Sequence, residues 1–129
     1  MTGNSILREA AAFLHETDIT NYQHFARSWL NTVLIDVLAV NNNVRENKGL
    51  DPIELKDIVI DTLDETLNVE DELRNAVLYG LLCKIYVYED DKALLNTYLQ
   101  QYEIEKKNSD RNKMRFVSTN TFTFGGDLF

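Results

Sequence analysis

The sequence predicts an all-α protein: a small helical bundle of about four helices followed by an extended C-terminal tail. Three observations carry that expectation. Apolar residues recur at i, i+3, i+4 and i+7 through Tyr22, Phe25, Ala26, Trp29, Leu30, Val33, Leu34, Val37 and Leu38, the period of one face of an α-helix. The apolar stretch from Ala76 to Tyr88 is interrupted by Gly80 and Lys84, so it suits a buried helix and falls well short of a membrane span. A short polar joint, Glu89-Asp90-Asp91, follows it at once, which makes the helices on either side an antiparallel pair.

In chain order, residues 4–15 place Ile6, Leu7, Ala10, Ala11 and Leu14 on one stripe, a short amphipathic helix. Thr20 with Gln23 has the spacing of a capping box that opens the second helix. Asn41-Asn42-Asn43 is expected to fray the end of that helix. In Asp51-Pro52-Ile53-Glu54 an Asp cap precedes Pro at the first helical position, which favours a short helical turn. Ile58-Val59-Ile60 is β-branched and suits a brief extended piece instead, so residues 41–68 are a connection of mixed structure. Asn68 with Asp71 opens a third helix, from about Val69 to Tyr88, apolar over most of its circumference and therefore central. Asp90 or Asp91 can cap the fourth, whose buried stripe is Leu94, Leu95, Tyr98, Leu99 and Tyr102. The predicted core contains Trp29, Leu30, Leu34, Tyr79, Leu81, Leu82 and Tyr98. Residues 1–107 form the helical domain and 108–129 a basic neck with an aromatic tail.

At 129 residues the chain is long enough for one hydrophobic core. Its net charge of −8 is unevenly spread. Residues 1–105 hold 19 acids and 8 bases, whereas residues 106–129 hold 2 acids and 5 bases. An acidic body repels nucleic acid, which speaks against ordinary DNA binding by the domain. A body past which DNA must slide without sticking has the same sign. Cys83 is the sole cysteine and lies in an apolar helical run, so a small core residue in a reducing compartment is expected and no disulfide framework is. The N-terminus lacks the basic flank and apolar block of a signal peptide.

Catalytic candidates are thin, and no enzyme is expected. His15 and His24 are nine residues apart, which is not a helix-face ligand spacing, and no His/Cys cluster accompanies them. Asp57, Asp61, Asp64 and Glu65 lack the Gly and alternating oxygens of a calcium loop. Gly125-Gly126 opens no helix that could cradle a phosphate. No cofactor and no metal are expected.

Attention falls on Phe116–Phe129. This stretch carries Phe116, Val117, Phe122, Phe124, Leu128 and Phe129 directly after a charged segment ending at Arg115. Apolar groups left in water gain nothing, and Phe122 and Phe124 alternate with Thr121 and Thr123 at the period of a strand. A lone strand needs an edge to pair with. That edge belongs to a partner, or else to this chain's own domain.

The stretch from Leu67 to Lys107 also resembles the signature hairpin of phage head-to-tail connector (adaptor) proteins. The resemblance rests on the block Ala76-Val-Leu-Tyr-Gly-Leu81, the acidic turn Glu89-Asp-Asp91 and the ending Tyr98-Leu-Gln-Gln-Tyr102. The upstream helix, with Ser28-Trp-Leu-Asn31 in it, is similar to the family's long N-terminal helix. About two-thirds of the chain is covered, by patterns of apolar and acidic positions.

The resemblance implies a structural virion protein in the neck between capsid and tail, made in the host cytoplasm. Such adaptors form a twelve-fold ring beneath the portal, continue the channel for double-stranded DNA without recognising its sequence, and dock the tail or stopper protein. Their C-terminal segments embrace the portal. By that likeness the portal-binding residues here are Arg115, Phe116, Val117, Phe122, Phe124, Leu128 and Phe129. Two other classes stay open: another neck or tail-completion protein, and a small helical regulator that inserts its aromatic tail into a target.

Overall fold

A computed structural model describes residues 1–16 and 18–121, with side chains through Ser109. The all-α expectation holds. In order the elements are α1 (Gly3–Ala12), α2 (Thr20–Asn47), the short α3 (Leu55–Ile58), a 3-10 turn (Asp71–Leu73), α4 (Arg74–Tyr88) and α5 (Lys92–Thr121). Among the described residues the sole β-type pairing is an isolated antiparallel bridge between Thr2 and Thr66.

Helix α1 starts one residue earlier than the expected residue 4 and ends at Ala12 rather than residue 15; its start is set by a capping box. Thr2 Oγ1 accepts from the Ser5 amide at 3.1 Å, and Ser5 Oγ accepts from the Thr2 amide at 2.9 Å, satisfying two otherwise orphaned donors. The Thr20–Gln23 box is not formed. Asp18 Oδ1 takes the Thr20 amide instead, at 2.9 Å, and Gln23 reaches across to Asn4.

Helix α2 runs to Asn47, through the asparagine triplet expected to fray it. Two local causes account for this. Leu30, Leu34, Val37, Asn41 and Val44 are all buried and follow one another at three- and four-residue steps, so the core stripe continues through Asn41. The stop lies at Gly49, whose φ of +77° is cheap for glycine. Its amide donates to Glu46 O at 3.0 Å and that of Leu50 to Arg45 O at 2.8 Å, a Schellman closure.

Helix α4 is the centre, packed against α1, α2 and α5. Its residues Ala76, Val77, Leu78, Gly80, Leu81, Leu82, Cys83, Ile85 and Tyr86 are all buried. A fully buried Leu or Ile contributes roughly 1.5–3 kcal/mol relative to exposure. Gly80 is where three helices meet. A Cβ there would stand 2.7 Å from Val33 Cγ1 on α2 and 2.9 Å from Tyr102 Cε1 on α5, closer than atoms can pack.

The third helix begins later than Val69. Residues 71–73 form the 3-10 turn and α4 proper starts at Arg74, while Asn68 donates to Asp57 O rather than capping. At the α4–α5 joint Asp90 adopts φ +55°, and Asp91 is the cap, its Oδ1 accepting from the Leu94 amide at 3.1 Å. Leu30, Leu34, Leu81 and Leu82 are fully buried; Trp29, Tyr79 and Tyr98 are partly buried against the core. The stripe expected on α5 is narrower than drawn. Leu95, Tyr98, Tyr102 and Ser109 face inward, whereas Leu94 and Leu99 are exposed. The inward set steps by three, four and seven, and Leu94 and Leu99 lie about 70° from its centre, on opposite sides.

Helix α5 also continues through Thr121. The extended conformation expected from Phe116 onward is therefore helical over residues 116–121. Glu, Lys, Arg, Gln and Met are frequent in 100–115 and sustain a helix, whose hydrogen bonds are internal. No sheet edge exists among the described residues to draw those six into a strand.

Candidate partner-binding surface

Two features stand out on this bundle: a helical arm that leaves it, and an apolar groove on its side. The arm is the part of α5 that follows Ser109. Ser109 is buried, and its hydroxyl bonds to Glu72 O and Glu105 O, both at 3.2 Å. Glu72 lies in the 3-10 turn before α4, so Ser109 stands level with the start of the antiparallel partner helix. Residues 110–121 carry the helix on past that level, by about 18 Å at 1.5 Å per residue. Arg115, Phe116 and Val117 lie on this projecting helix. Phe122, Phe124, Leu128 and Phe129 lie outside the described residues.

The groove runs between α2, α4 and the first half of α5. It has a volume of about 590 Å³ and is bordered by Ile35 and Asp36, by Lys84 and Val87, and by Leu99 and Tyr102. Gly80 is among its lining residues, packed between Val33 and Tyr102. A second hollow of about 360 Å³ adjoins it through Lys84 and Val87, and is formed by Phe25, Trp29 and Tyr88. Phe25 stacks on Trp29 at 5.5 Å between centroids, and Tyr88 packs on both rings at 5.3 and 5.6 Å. Despite these contacts Val87 is 61%, Tyr88 49% and Phe25 44% exposed. A continuous apolar strip so open to water is characteristic of an interaction surface.

One wall of the groove carries a polar lock. Tyr102 donates its hydroxyl to Asp36 Oδ2 at 2.5 Å, and Lys106 Nζ donates to the same oxygen at 2.9 Å. The ammonium also stands 4.5 Å above the Tyr102 ring. The Tyr102 hydrogen bond, with help from Lys106, holds the Asp36 carboxyl below its ordinary range. Burial, then Asp36, pushes the phenol far above the usual tyrosine value. Lys106, one of the five bases that follow residue 105 in the sequence, is thus bound to Asp36 and Glu103 of its own body.

The acidic connection is tied to the body and is not a ligand cluster. Asn31 and Asn42 each grip a backbone in both directions, at Ile60 and Ile53 respectively. Asn41 Oδ1 accepts from the Glu70 amide at 2.8 Å. Glu70 pairs with Arg45 and Lys48, and Glu72 with Lys48. Glu65 Oε2 accepts the amides of Asp61 and Thr62, while Asp64 accepts from Asn4. No group of three or more His, Cys, Asp or Glu able to hold a metal ion occurs among the described residues. His15 takes the left-handed turn after α1, with φ +60°. Cys83 lies buried by the groove, where burial pushes its thiol up to about 11.

The groove was not legible in the sequence, where Leu99 belongs to the expected buried stripe. Among the described residues no helix is long and apolar enough to cross a membrane. Comparison of the chain with protein-family models, with curated proteins and with solved structures finds no match.

Proposed function

We propose that this chain is a structural connector of a phage neck: copies form a ring beneath a portal protein, extend the channel for the packaged DNA, and dock a tail or stopper protein. The observation that carries the reading is the arm. Helix α5 continues for residues 110–121 past Ser109, about 18 Å, and the sequence places Phe122, Phe124, Leu128 and Phe129 directly after it. A dense run of aromatic side chains suits anchors that fill pockets on another protein.

The energetics support an anchor. Several hundred Å² of apolar area buried by such a segment corresponds to on the order of 5 kcal/mol at ~25 cal/mol per Å², before ordering costs. Repetition around a ring multiplies this through effective concentration. The acidic body, with 19 acids against 8 bases in residues 1–105, attracts a passing duplex little. Neither feature requires catalysis.

The decisive experiment is mass-spectrometric identification of proteins in purified virus particles from the source. Presence of this chain at low copy beside a portal protein supports the connector reading. Particles that contain a portal protein and lack this chain overturn it.

A further inference from the structure

We infer that the groove between α2, α4 and α5 is a docking site for residues 122–129 of a second copy of this chain. The inference does not require the connector reading: a segment seated in a neighbour's groove is not free for a portal, so it concerns the chain in its own company, before a portal is met.

Three observations commit the groove to that occupant. The first is chemistry. The strip from Leu99 past Val87 to Tyr88 and Phe25 is apolar and open, and Phe122, Phe124, Leu128 and Phe129 form a concentrated set of apolar side chains in eight residues of sequence. Groove and segment have matching character, and each gains by removing the other from water.

The second is reach. Tyr102, at the near end of the groove, precedes Thr121 by 19 residues of continuous helix, about 28 Å along the axis. Phe124 is only three residues past Thr121, at most about 11 Å of chain even when fully extended. Phe122 and Phe124 therefore fall short of the groove on their own body, and only the end of the segment, up to about 29 Å of chain past Thr121, could touch its near edge. A neighbour's groove is under no such limit.

The third is charge. The apolar strip ends at the acidic joint Glu89-Asp90-Asp91, and Glu16 and Glu89 lie close enough to Tyr22 to raise its ionisation, after burial. The occupant is preceded by Lys107, Arg111, Lys113 and Arg115. Basic residues leading an aromatic segment onto a groove with an acidic end are complementary. A contact of this kind joins two different surfaces, so it propagates head to tail and closes into a ring or grows open-ended.

The test uses the full chain and two variants in sedimentation equilibrium. Val87→Asp blocks the groove at an exposed position, and Phe122→Ser with Phe124→Ser blocks the segment. Helical circular dichroism confirms that each is folded. The unaltered chain is expected to gain mass with concentration, each variant alone to stay at one copy, and an equimolar mixture of the two variants to reach two copies. The mixture restores one intact segment and one intact groove on separate molecules, which no contact within a chain can do. A single-copy mass for the unaltered chain at every concentration overturns the inference. So does a mixture that stays at one copy, or an association that survives Val87→Asp. Any of these leaves the connector reading to be decided by the particle experiment.

Discussion

The side-chain amide of Asn31 serves Ile60 as a strand neighbour would: its Oδ1 accepts from the Ile60 amide at 2.8 Å and its Nδ2 donates to the Ile60 carbonyl at 2.9 Å. Three helical turns on, Asn42 does the same for Ile53, at 2.9 and 3.0 Å. A chain without a sheet thus satisfies the extended backbone around its β-branched residues. Asn31→Ala removes two partly buried hydrogen bonds and leaves both Ile60 groups to find water, so a loss of about 2 kcal/mol is expected. Asn31→Asp should be no milder, because it sets a carboxylate against a carbonyl oxygen. Urea denaturation checks both; an unchanged midpoint for Asn31→Ala means the clamp contributes nothing.

These clamps also mark where sequence reading stops. Apolar periodicity located α2, α4 and the joint at Asp91, because burial of a stripe is a local pattern repeated many times. Asn31, Asn41 and Asn42 carry no such pattern. An asparagine looks like a helix end until its backbone partner is known, and Ile53, Ile60 and Glu70 lie 11 to 29 residues away. Gly49 was the legible stop signal for α2, and it outweighs the asparagines. The groove escaped notice for a related reason: Leu99 belongs to an apolar α5 stripe, but the helix turns Leu95, Tyr98 and Tyr102 inward and leaves Leu99 at the edge.

Gly80→Ala should destabilise the bundle even though alanine favours helix by up to ~1 kcal/mol. The new methyl would overlap Val33 Cγ1 and Tyr102 Cε1. Val33 is short and branched and cannot swing aside, so overpacking of about 1–3 kcal/mol is expected. Adding Val33→Ala makes room. The double variant should then be more stable than the sum of the two single losses by more than about 0.5 kcal/mol. Strict additivity in thermal unfolding would mean the helices separate to admit the methyl.

Burial places the Cys83 thiol at about 11, from an ordinary value of 9.0. Since the folded value is raised, its contribution to stability is complete below about pH 9 and is lost as pH climbs toward about 11, where the unfolded chain has already released its proton. Cys83→Ala should remove that part of the alkaline decline while leaving stability near neutrality within the cost of a small packing defect. At neutral pH a disulfide reagent should label Cys83 far more slowly in the folded protein than in urea. Equal rates would place the thiol outside the core.

The bond from Tyr102 to Asp36 should leave a mark at both ends of the pH scale. The Asp36 carboxyl titrates lower in the folded protein than in the unfolded chain. Its contribution is therefore present above the ordinary carboxylate value of about 4 and is lost as pH falls through the depressed folded value. Tyr102 shifts the opposite way, its phenol raised by burial and by Asp36. Stability from Tyr102 is complete below the ordinary tyrosine value of about 10 and declines above it, because only the unfolded chain then ionises. One proton of difference gives a slope of about 1.4 kcal/mol per pH unit. Tyr102→Phe keeps the ring beside Gly80 and beneath Lys106 but removes the hydroxyl. In a Cys83→Ala background, which silences the thiol, this variant should flatten the alkaline decline and shorten the acid one. Asp36→Asn should flatten the acid limb and leave most of the alkaline one, since burial is the larger cause of the Tyr102 shift. Denaturation curves that stay parallel to the Cys83→Ala parent across the pH range would show that the hydroxyl and carboxylate, though 2.5 Å apart, do not hold α5 against α2.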